Sequence, residues 1–322
     1  MPVSAKDWQR PDLALAEAVE LACLLEATAP KAGNVHPAAS FTDMNYQHFV
    51  ASASAVASVI GEVVPGQTVG HIVLACVQAT QEAVGLNTNL GTILLFGPLV
   101  KAAMVEGVKV HSLELLRDIV EQVLRELSAQ DSADVYQAIV ESKPGGMGEQ
   151  RENDIRSSAP ENLVDAMAQV AEFDAVARQF TNGFAGCLEK LLPWLKESLV
   201  ALESLPASER ILEAICWTQL RWLAHEPDGL IHRKVGAEQA REVQQRAKDV
   251  LVDLTCSGRG HEPSSRTPTA LPLSRQDSYQ EFDRYLRSDG NRLNPGTTAD
   301  LIAATLLIFL LTKNKKSFND QP

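Results

Sequence analysis

Six short segments carry the residue types that chemistry on a charged ligand would need, and each lies where an apolar helical pattern begins or ends. Most combine glycine or proline with amide, hydroxyl or charged side chains; the second has neither and belongs with them only through nearby Pro37. Asn and Thr side chains can cap a helix, and the unpaired N–H groups of its first turn can bind an anion. The segments are 30–35, 40–44, 85–92, 143–148, 228–236 and 294–300.

The charged side chains in and beside these segments suit a polyphosphate and a metal ion. Lysine, arginine and helix N-termini complement phosphate oxygens. Carboxylates suit Mg²⁺, which takes oxygen ligands, usually few of them from protein, while it bridges phosphates. The cations are Lys31, Arg233, Lys234 and Arg292, and the carboxylates are Asp43, Asp228, Asp300 and Glu82, one turn before the 85–92 segment.

Each of these residues also has an ordinary structural interpretation. One such segment decides nothing, whereas six in one helical chain favour a ligand-binding rim built from helix ends. The alternatives are surface cations for Lys31, Arg233 and Lys234, an N-cap for Asp43, a turn residue for Asp228, the capping-box spacing Thr297-x-x-Asp300 for Asp300, a hinge for Gly145-Gly146 and a solvated helix residue for Glu82.

Composition and missing motifs narrow the function classes. The formal net charge of -12, from 29 basic and 41 acidic residues, disfavours binding to bulk nucleic acid through its phosphates. The sequence has no P-loop motif, no dinucleotide-binding G-x-G-x-x-G after a strand, no zinc-type spacing and no serine in the glycine-flanked segment 183–186. These absences argue against the common nucleotide and hydrolase sites.

Targeting and redox features favour a soluble, cytoplasmic protein. No signal-peptide pattern opens the sequence, and the longest apolar run, 301–311, is too short to cross a bilayer. The five cysteines are scattered without C-x-x-C, as expected of buried thiols in a reducing compartment. We therefore expect small-molecule ligands and no contact with membranes.

Helical periodicity dominates the elements that must position these segments, and only 108–110 hints at a strand. We predict an all-α, bundle-like single domain over 1–322, of about a dozen helices, with its active site in helix-end loops. The segment 256–275 is predicted to be a mobile loop and the tail 312–322 to be frayed. Predicted helices cover 12–29, 44–63, 68–84, 91–105 with a kink or interruption at Gly97-Pro98, 112–127, 132–141, 161–205 with a break at 183–186, 207–225, 235–254 after a loop at 226–233, 279–287 and 297–311.

Five motifs, in order along roughly residues 20–310, resemble the pattern of the triphosphoribosyl-dephospho-CoA synthase family. Three further segments, 144–148, 174–179 and 230–234, are similar to a divergent branch found in archaea and in bacteria of one-carbon metabolism. At 89–90 and 229–230 this chain has Asn-Leu and Gly-Leu where the best-known members have His-Lys and Thr-Asn. The five motifs are Pro30-Lys31-x-Gly33-x-Val35, Asp43-Met44, Gly85-x-Asn87-Thr88-x-x-Gly91, Asp228-x-x-x-x-Arg233 and Pro295-Gly296-x-x-Ala299-Asp300-Leu301.

The resemblance implies a pentosyltransferase with ATP and 3′-dephospho-CoA as substrates and Mg²⁺ as cofactor, as a monomer or a homodimer. The 2′-hydroxyl of dephospho-CoA attacks C1′ of the ATP ribose, adenine leaves, and triphosphate stays on the transferred ribose. This needs a base, an acid or hydrogen bond for adenine, and cations. The residues implied are Glu82, Asp43 and Asp228 for catalysis, Lys31, Asn87, Thr88, Gly91, Arg233, Lys234, Arg292, Gly296 and Thr297 for ATP or phosphate, and Asp43, Glu82 and Asp300 for Mg²⁺.

Two alternatives stay open from the sequence. The altered residues at 89–90 and 229–230 would suit an enzyme with another ribosyl or phosphorylated acceptor, such as an intermediate of tetrahydromethanopterin-type coenzyme synthesis. A panel of acceptors would separate this activity from the first. The chain could also be a non-catalytic helical nucleotide-binding protein, in which loss of the carboxylates would leave its role intact.

Overall fold

Helices form nearly all the regular structure. The computed structural model describes residues 13–105, 112–143, 159–254 and 272–312. Within these ranges there are fourteen α-helices, one π-helix and one 3₁₀ turn, and the only β-type pairing is an isolated bridge between His36 and Ala39. The prediction of an all-α protein is confirmed.

The helices follow the chain with short connections. They are α1 (Leu15–Thr28), α2 (Tyr46–Gly61), α3 (Val69–Val84), α4 (Leu90–Val105), α5 (Leu113–Arg125), α6 (Ala129–Ser142), α7 (Leu163–Ala168), α8 (Ala175–Thr181), the π-helix (Gly186–Leu191), α9 (Leu192–Ala201), α10 (Ala207–His225), α11 (Gly229–Val235), α12 (Ala237–Leu254), the 3₁₀ turn (Leu273–Arg275), α13 (Asp277–Leu286) and α14 (Gly296–Leu311).

Two apolar helices, α4 and α14, occupy the centre. Both bury side chains around most of their circumference, which is expected of a helix inside a large domain. α14 packs against α1, α4, α8, α10 and α11, and α4 also packs against α3, α5 and α6. Their N-terminal ends therefore lie among many other elements. In the described part of the chain, no helix combines the length and apolarity that a membrane crossing requires.

Polar N-caps explain where several helices begin. A capping side chain accepts a hydrogen bond from the second or third N–H of the helix, which would otherwise lack a partner. α2 begins after Asn45, so the predicted start signal at Thr42-Asp43 is wrong by two to three residues and Asp43 is not an N-cap. The capping residues are Asn45, Thr68, Ser112, Ser128, Asn162, Asp174 and Asp228.

Three predicted boundaries are corrected. The loop predicted at 226–233 is mostly α11, because Asp228 caps the chain and turns it helical from Gly229. The helical region predicted at 161–205 has the predicted break near 183–186 and a further break at 169–174, so that it consists of α7, α8 and the π-helix continuing directly into α9. α4 continues through Pro98 without interruption, and a Cβ on the preceding Gly97 would lie 2.7 Å from Val73 Cγ2 of α3. Glycine there permits close packing of α3 on α4.

Two other predictions fall largely outside the described residues. Of the predicted loop 256–275, residues 272–275 are described, and they are ordered: the Leu273 N–H donates to Glu213 at 2.6 Å within the 3₁₀ turn. Of the predicted frayed tail, only Thr312 is described, and it is buried with its hydroxyl donating to the Ile308 carbonyl at 2.9 Å. The predicted mobility of 256–275 and the predicted fraying of 312–322 stay predictions. The single-domain prediction stays a prediction.

Candidate active site

A cavity of about 760 Å³ opens where the N-terminal ends of α4 and α14 meet. Its volume lies within the range of about 300–1,000 Å³ that is usual for small-molecule sites. Further walls come from α1, α6, α7, α8 and α11. Among the lining residues, those with polar or charged side chains include Glu26, Asn34, Asp43, Asn87, Thr88, Asn89, Thr92, Tyr136, Lys143, Gln169, Asp174, Arg233, Lys234, Asn291, Asn294, Thr297 and Asp300.

The turn at 85–92 is capped and lines this cavity. α3 ends at Gly85, whose φ of 68° is in the left-handed region that glycine tolerates. Asn87 Oδ1 accepts the Leu90 N–H at 3.1 Å, and the hydroxyls of Thr88 and Ser52 are 2.7 Å apart. Asn87, Thr88 and the first residues of α4 line the cavity. The predicted polar turn is thus a helix N-terminus at a ligand-sized opening.

Asp300 extends from α14 to the first turn of α4. Its Oδ1 accepts the Thr92 N–H at 2.9 Å and the Thr92 hydroxyl at 2.8 Å, so it satisfies donors of α4 rather than of its own helix. A Cβ at Gly91 would lie 2.1 Å from Asp300 Oδ2, so the carboxyl occupies space that only glycine leaves open. Gly91, predicted to bind ATP or phosphate, therefore leaves the space that the Asp300 carboxyl occupies.

The carboxyl of Asp300 has an unusual protonation equilibrium. Burial raises its pKa to about 8, the hydrogen bonds from Thr92 oppose this rise, and the nearby charge of Glu26 adds to it. The carboxyl nevertheless lines the cavity. It is therefore a group that can hold a proton near neutral pH and present it to a ligand.

Glu26 is a second carboxyl that lines the cavity, and no pattern in the sequence indicated it. It lies in α1 and is nearly buried. The ammonium of Lys31 is 2.8 Å from Glu26 Oε1 and also donates to the Glu26 carbonyl. Lys31 has no solvent exposure and is not among the cavity-lining residues. The prediction that Lys31 contacts phosphate is corrected: it is a buried partner of Glu26.

Arg233 and Lys234 supply positive charge on the α11 wall. Arg233 forms an ion pair with Asp174, whose other oxygen caps α8 through the Val176 N–H at 3.0 Å. Burial lowers the pKa of Lys234. Both side chains line the cavity, as predicted for phosphate ligands. Gly296 and Thr297 also line it, at the start of α14.

Asp43 lies at the exposed mouth of the cavity. One of its oxygens accepts the Asn291 side-chain amide at 3.0 Å, and the Lys234 ammonium donates to the Asn291 carbonyl at 2.9 Å. Asn291 therefore connects the loop before α2 with α11. Asp43 stays available to a ligand or to a metal ion on a phosphate.

Asp228, predicted to be catalytic, is instead a structural residue. It is 2% exposed and is not among the cavity-lining residues. Oδ1 accepts the N–H groups of Leu230 and Ile231 at 2.9 and 3.1 Å, and Oδ2 accepts the N–H and hydroxyl of Thr298 at 2.8 and 2.7 Å. Burial raises its pKa. With four donors on two oxygens, it fastens α11 to α14.

Two further predicted residues lie away from the cavity. Glu82 is exposed near the C-terminal end of α3 and is not among the lining residues. Arg292 has a 58% exposed side chain and pairs with Asp289 at 3.0 Å. Neither position supports the predicted role, because neither side chain lines the cavity.

Comparison with known proteins decides the family. The sequence matches the family described as CitG, ATP:dephospho-CoA triphosphoribosyl transferase, over residues 12–318. The chain belongs to this family. It is therefore a transferase of the triphosphoribosyl-dephospho-CoA synthase type, and the predicted resemblance is confirmed. A comparison with curated proteins gives no match.

A solved structure supports the same fold. A crystal structure described as a candidate triphosphoribosyl-dephospho-CoA synthase from Archaeoglobus fulgidus is 24% identical, with a TM-score of 0.58, over 83% of this chain and 97% of that chain. At this identity the likeness concerns the fold. The helical arrangement around the cavity is thus shared across a large sequence distance.

The cavity of this transferase fits a metal ion shared with phosphate better than one held by protein alone. In the described ranges, no three or more His, Cys, Asp or Glu side chains are grouped as metal ligands. Mg²⁺ usually takes only one or two carboxylates and completes its shell with phosphate oxygens and water. Asp43 and Asp300 both line the cavity, whereas Glu82 does not. The donor set is therefore suited to Mg²⁺ that arrives with ATP.

Proposed function

We propose that this cavity carries out the family's reaction with the two riboses held between Glu26 and Asp300. The 2′-hydroxyl oxygen of 3′-dephospho-CoA forms a bond to C1′ of the ATP ribose as the bond from C1′ to adenine N9 breaks. Glu26 accepts the hydroxyl proton, and Asp300 gives a proton to the departing adenine. The triphosphate stays on the ribose, and solvent resets the two carboxyls.

The different surroundings of the two carboxyls support these roles. Enzymes that use two carboxyls commonly separate their roles through their environments, so that one gives a proton while the other accepts one. Asp300, with a pKa raised to about 8 by burial, holds a proton near neutral pH. Glu26 pairs with the Lys31 ammonium at 2.8 Å, an arrangement suited to an anionic acceptor. The observation that carries the proposal is that both line one ligand-sized cavity.

The α11 wall is proposed to bind the triphosphate of ATP. Arg233 and Lys234 line the cavity there, and the capped N-terminus of α4, with Asn87 and Thr88, adds N–H donors. A triphosphate carries more negative charge than two side chains neutralise. Asp43, which Asn291 connects to Lys234, is the carboxylate that would hold Mg²⁺, and the ion would supply further positive charge to the triphosphate.

Asp300 is assigned to proton donation rather than to the metal. A carboxyl that ligates a metal must be deprotonated. The buried setting of Asp300 favours its protonated form, whereas Asp43 is exposed. The cysteines support a cytoplasmic location for this protein. The four described cysteines are free and buried, which agrees with a compartment where ATP is available and thiols stay reduced.

Adenine release tests the proposal. We expect the wild-type protein to release adenine from ATP only when dephospho-CoA and Mg²⁺ are present. Glu26→Gln should lower the rate about 10²- to 10⁴-fold, as loss of a general base commonly does. Glu82→Gln is the matched control, since it removes an exposed carboxylate outside the cavity and should leave the rate unchanged. Full activity of Glu26→Gln, or none in the wild type with every substrate present, would contradict the proposal.

A further inference from the structure

Two walls of the cavity are built from different helices and carry different side chains. α11, with Arg233 and Lys234, packs against α12 and α14. α6 packs instead against α3, α4 and α7. α14 and α4 pack against each other and so link α11 to α6, and the segment after α7 also reaches α11 through the ion pair of Asp174 with Arg233. Asp300 on α14 and Gly91 on α4 therefore lie on the helices that link the two walls.

The wall formed by α6 and α7 has a different chemistry from the α11 wall. Its lining residues Tyr136, Ile139, Met167 and Val170 are apolar or aromatic. The Tyr136 side chain is partly buried, and burial raises its pKa. Within the described ranges no side chain or backbone group forms a hydrogen bond with its hydroxyl. This wall suits a long, uncharged ligand segment with occasional amide or hydroxyl groups.

Lys143 adds one cation at the end of the same wall. It caps the C-terminal end of α6, is exposed, and lines the cavity. Its φ of 47° puts it in the left-handed region; among described residues other than glycine, only Phe184 shares a positive φ. An L-residue rarely adopts this conformation, and it is held here at the edge of a cavity. The α6 wall therefore has its own anion-binding group, on a different helix from Arg233.

We propose that the α6 wall is the subsite for the acceptor, with Lys143 on the diphosphate of dephospho-CoA and Tyr136, Ile139 and Met167 along its pantetheine arm. This rests on the proposed function, in which the two riboses meet at Glu26 and Asp300. Both substrates carry a phosphate chain, and like charges repel strongly in a cavity of low dielectric constant. Separate cations on different helices, Lys143 at the end of α6 and Arg233 on α11, keep the two chains apart while their riboses meet.

A fragment of the acceptor tests this assignment without the reaction. 4′-Phosphopantetheine contains the arm and one phosphate but no nucleoside, so it cannot bind through an adenine site. In titration calorimetry with the full-length protein, we expect it to displace dephospho-CoA and to leave the Kd of ATP unchanged. Displacement of ATP instead, or no displacement of dephospho-CoA, would overturn the proposal.

Two variants give the residue-level test. Lys143→Met should raise the Kd of dephospho-CoA about tenfold, the loss expected for one charge-assisted phosphate contact, with the Kd of ATP within about twofold. Tyr136→Ala should weaken 4′-phosphopantetheine about as much. Lys248→Met on α12, a lysine that does not line the cavity, is the matched control. Equal losses for ATP and dephospho-CoA in Lys143→Met would overturn the subsite.

The two proposals fail in different ways. A wild-type protein that binds dephospho-CoA but releases no adenine would remove the proposed reaction, yet the displacement by 4′-phosphopantetheine would still decide which wall holds the arm. Conversely, normal adenine release with an unchanged Kd for dephospho-CoA in Lys143→Met would overturn the subsite and leave the reaction intact.

Discussion

Asp228 and Asp300 receive the same pair of hydrogen bonds and end in opposite environments. Each accepts both the backbone N–H and the hydroxyl of a threonine in the first turn of another helix. Asp228 accepts from Thr298 at 2.8 and 2.7 Å, and Asp300 accepts from Thr92 at 2.9 and 2.8 Å. In both cases the pair joins two helices, so the first oxygen of each carboxyl has a structural role.

The two aspartates differ in the surroundings of their second carboxyl oxygen. In Asp228 it accepts the N–H groups of Leu230 and Ile231, which leaves no free acceptor position facing a ligand. In Asp300 it lies against Gly91 beside the cavity and accepts no hydrogen bond from the described residues. Burial raises the pKa of both carboxyls. The feature that we propose distinguishes the proton-donating Asp300 from the structural Asp228 is therefore a carboxyl oxygen beside the cavity that accepts no hydrogen bond from the described residues, not a shifted pKa.

The largest expected effect is the loss of activity in Asp300→Asn, which tests the comparison of the two aspartates. Asp300→Asn keeps an oxygen for Thr92 but removes the proton that we propose adenine receives. We expect the rate of adenine release to fall at least about 10²-fold, with the folded state retained. Asp228→Asn is the comparison variant, and its folded fraction should lose far less activity. The measurement is adenine release at saturating ATP and dephospho-CoA, normalised to folded protein from circular dichroism.

Equal activity losses in the two folded variants would contradict the distinction between the two aspartates. Retained activity in Asp300→Asn would contradict the proton-donor role alone, since a hydrogen bond from the amide would then be sufficient for adenine to leave.

The sequence predicts the helices better than the site. Polar caps such as Thr68 and Ser112 follow from local chemistry, and so does the apolar character of α4 and α14. Asp228 and Asp300 look equivalent in the sequence because each precedes or opens a helix. Only the packing of α14 against α4 and α11 gives them different second-oxygen environments.

Glu26 and Lys31 show a second limit of predicting the site from the sequence. Glu26 lies inside α1 without a glycine, proline or cap beside it, so no local pattern marks it. Its place in the cavity depends on which face of α1 meets α2 and α14. Lys31 lies in a loop that looks solvated, yet it is completely buried, and the next residue, Ala32, forms hydrogen bonds to Tyr279 and Gln219 far along the chain. Asp174 was indicated only through the resemblance of 174–179 to one branch of the family.

A smaller effect is expected on stability in Asp228→Ala, which tests the structural role of this carboxyl. Asp228→Ala leaves four buried donors without their acceptor and removes the cap of α11. We expect the free energy of unfolding to fall by about 3 kcal/mol, from the lost cap and the unsatisfied donors together. Urea unfolding followed by circular dichroism measures this. Asp43→Ala, at the exposed mouth, is the control and should change stability by less than about 0.5 kcal/mol.

A stability loss in Asp228→Ala no larger than in Asp43→Ala would show that the four hydrogen bonds contribute little net free energy. The fastening role of Asp228 would then be wrong, and its carboxyl would need another explanation.

The smallest expected effect concerns the pH dependence of stability. The pKa of Asp300 rises from its usual 3.8 to about 8 on folding, so between these pH values the folded state holds a proton that the unfolded state has released. Stability therefore falls as pH rises from about 4 to about 8, and this loss is absent below that window. The variant Asp300→Asn lacks the carboxyl that binds this proton. Between pH 5 and 8 its free energy of unfolding should fall by about 1 to 2 kcal/mol less than that of the wild type, since partial exposure of Asp300 at the cavity reduces the full linkage. Urea unfolding at three pH values measures the difference. Other titrating groups, Asp228 among them, are common to both proteins and cancel in the comparison. Parallel pH profiles for the two proteins would mean that Asp300 is ionised in the folded state at neutral pH, and the carboxyl would then be better suited to the metal ion than to the leaving adenine.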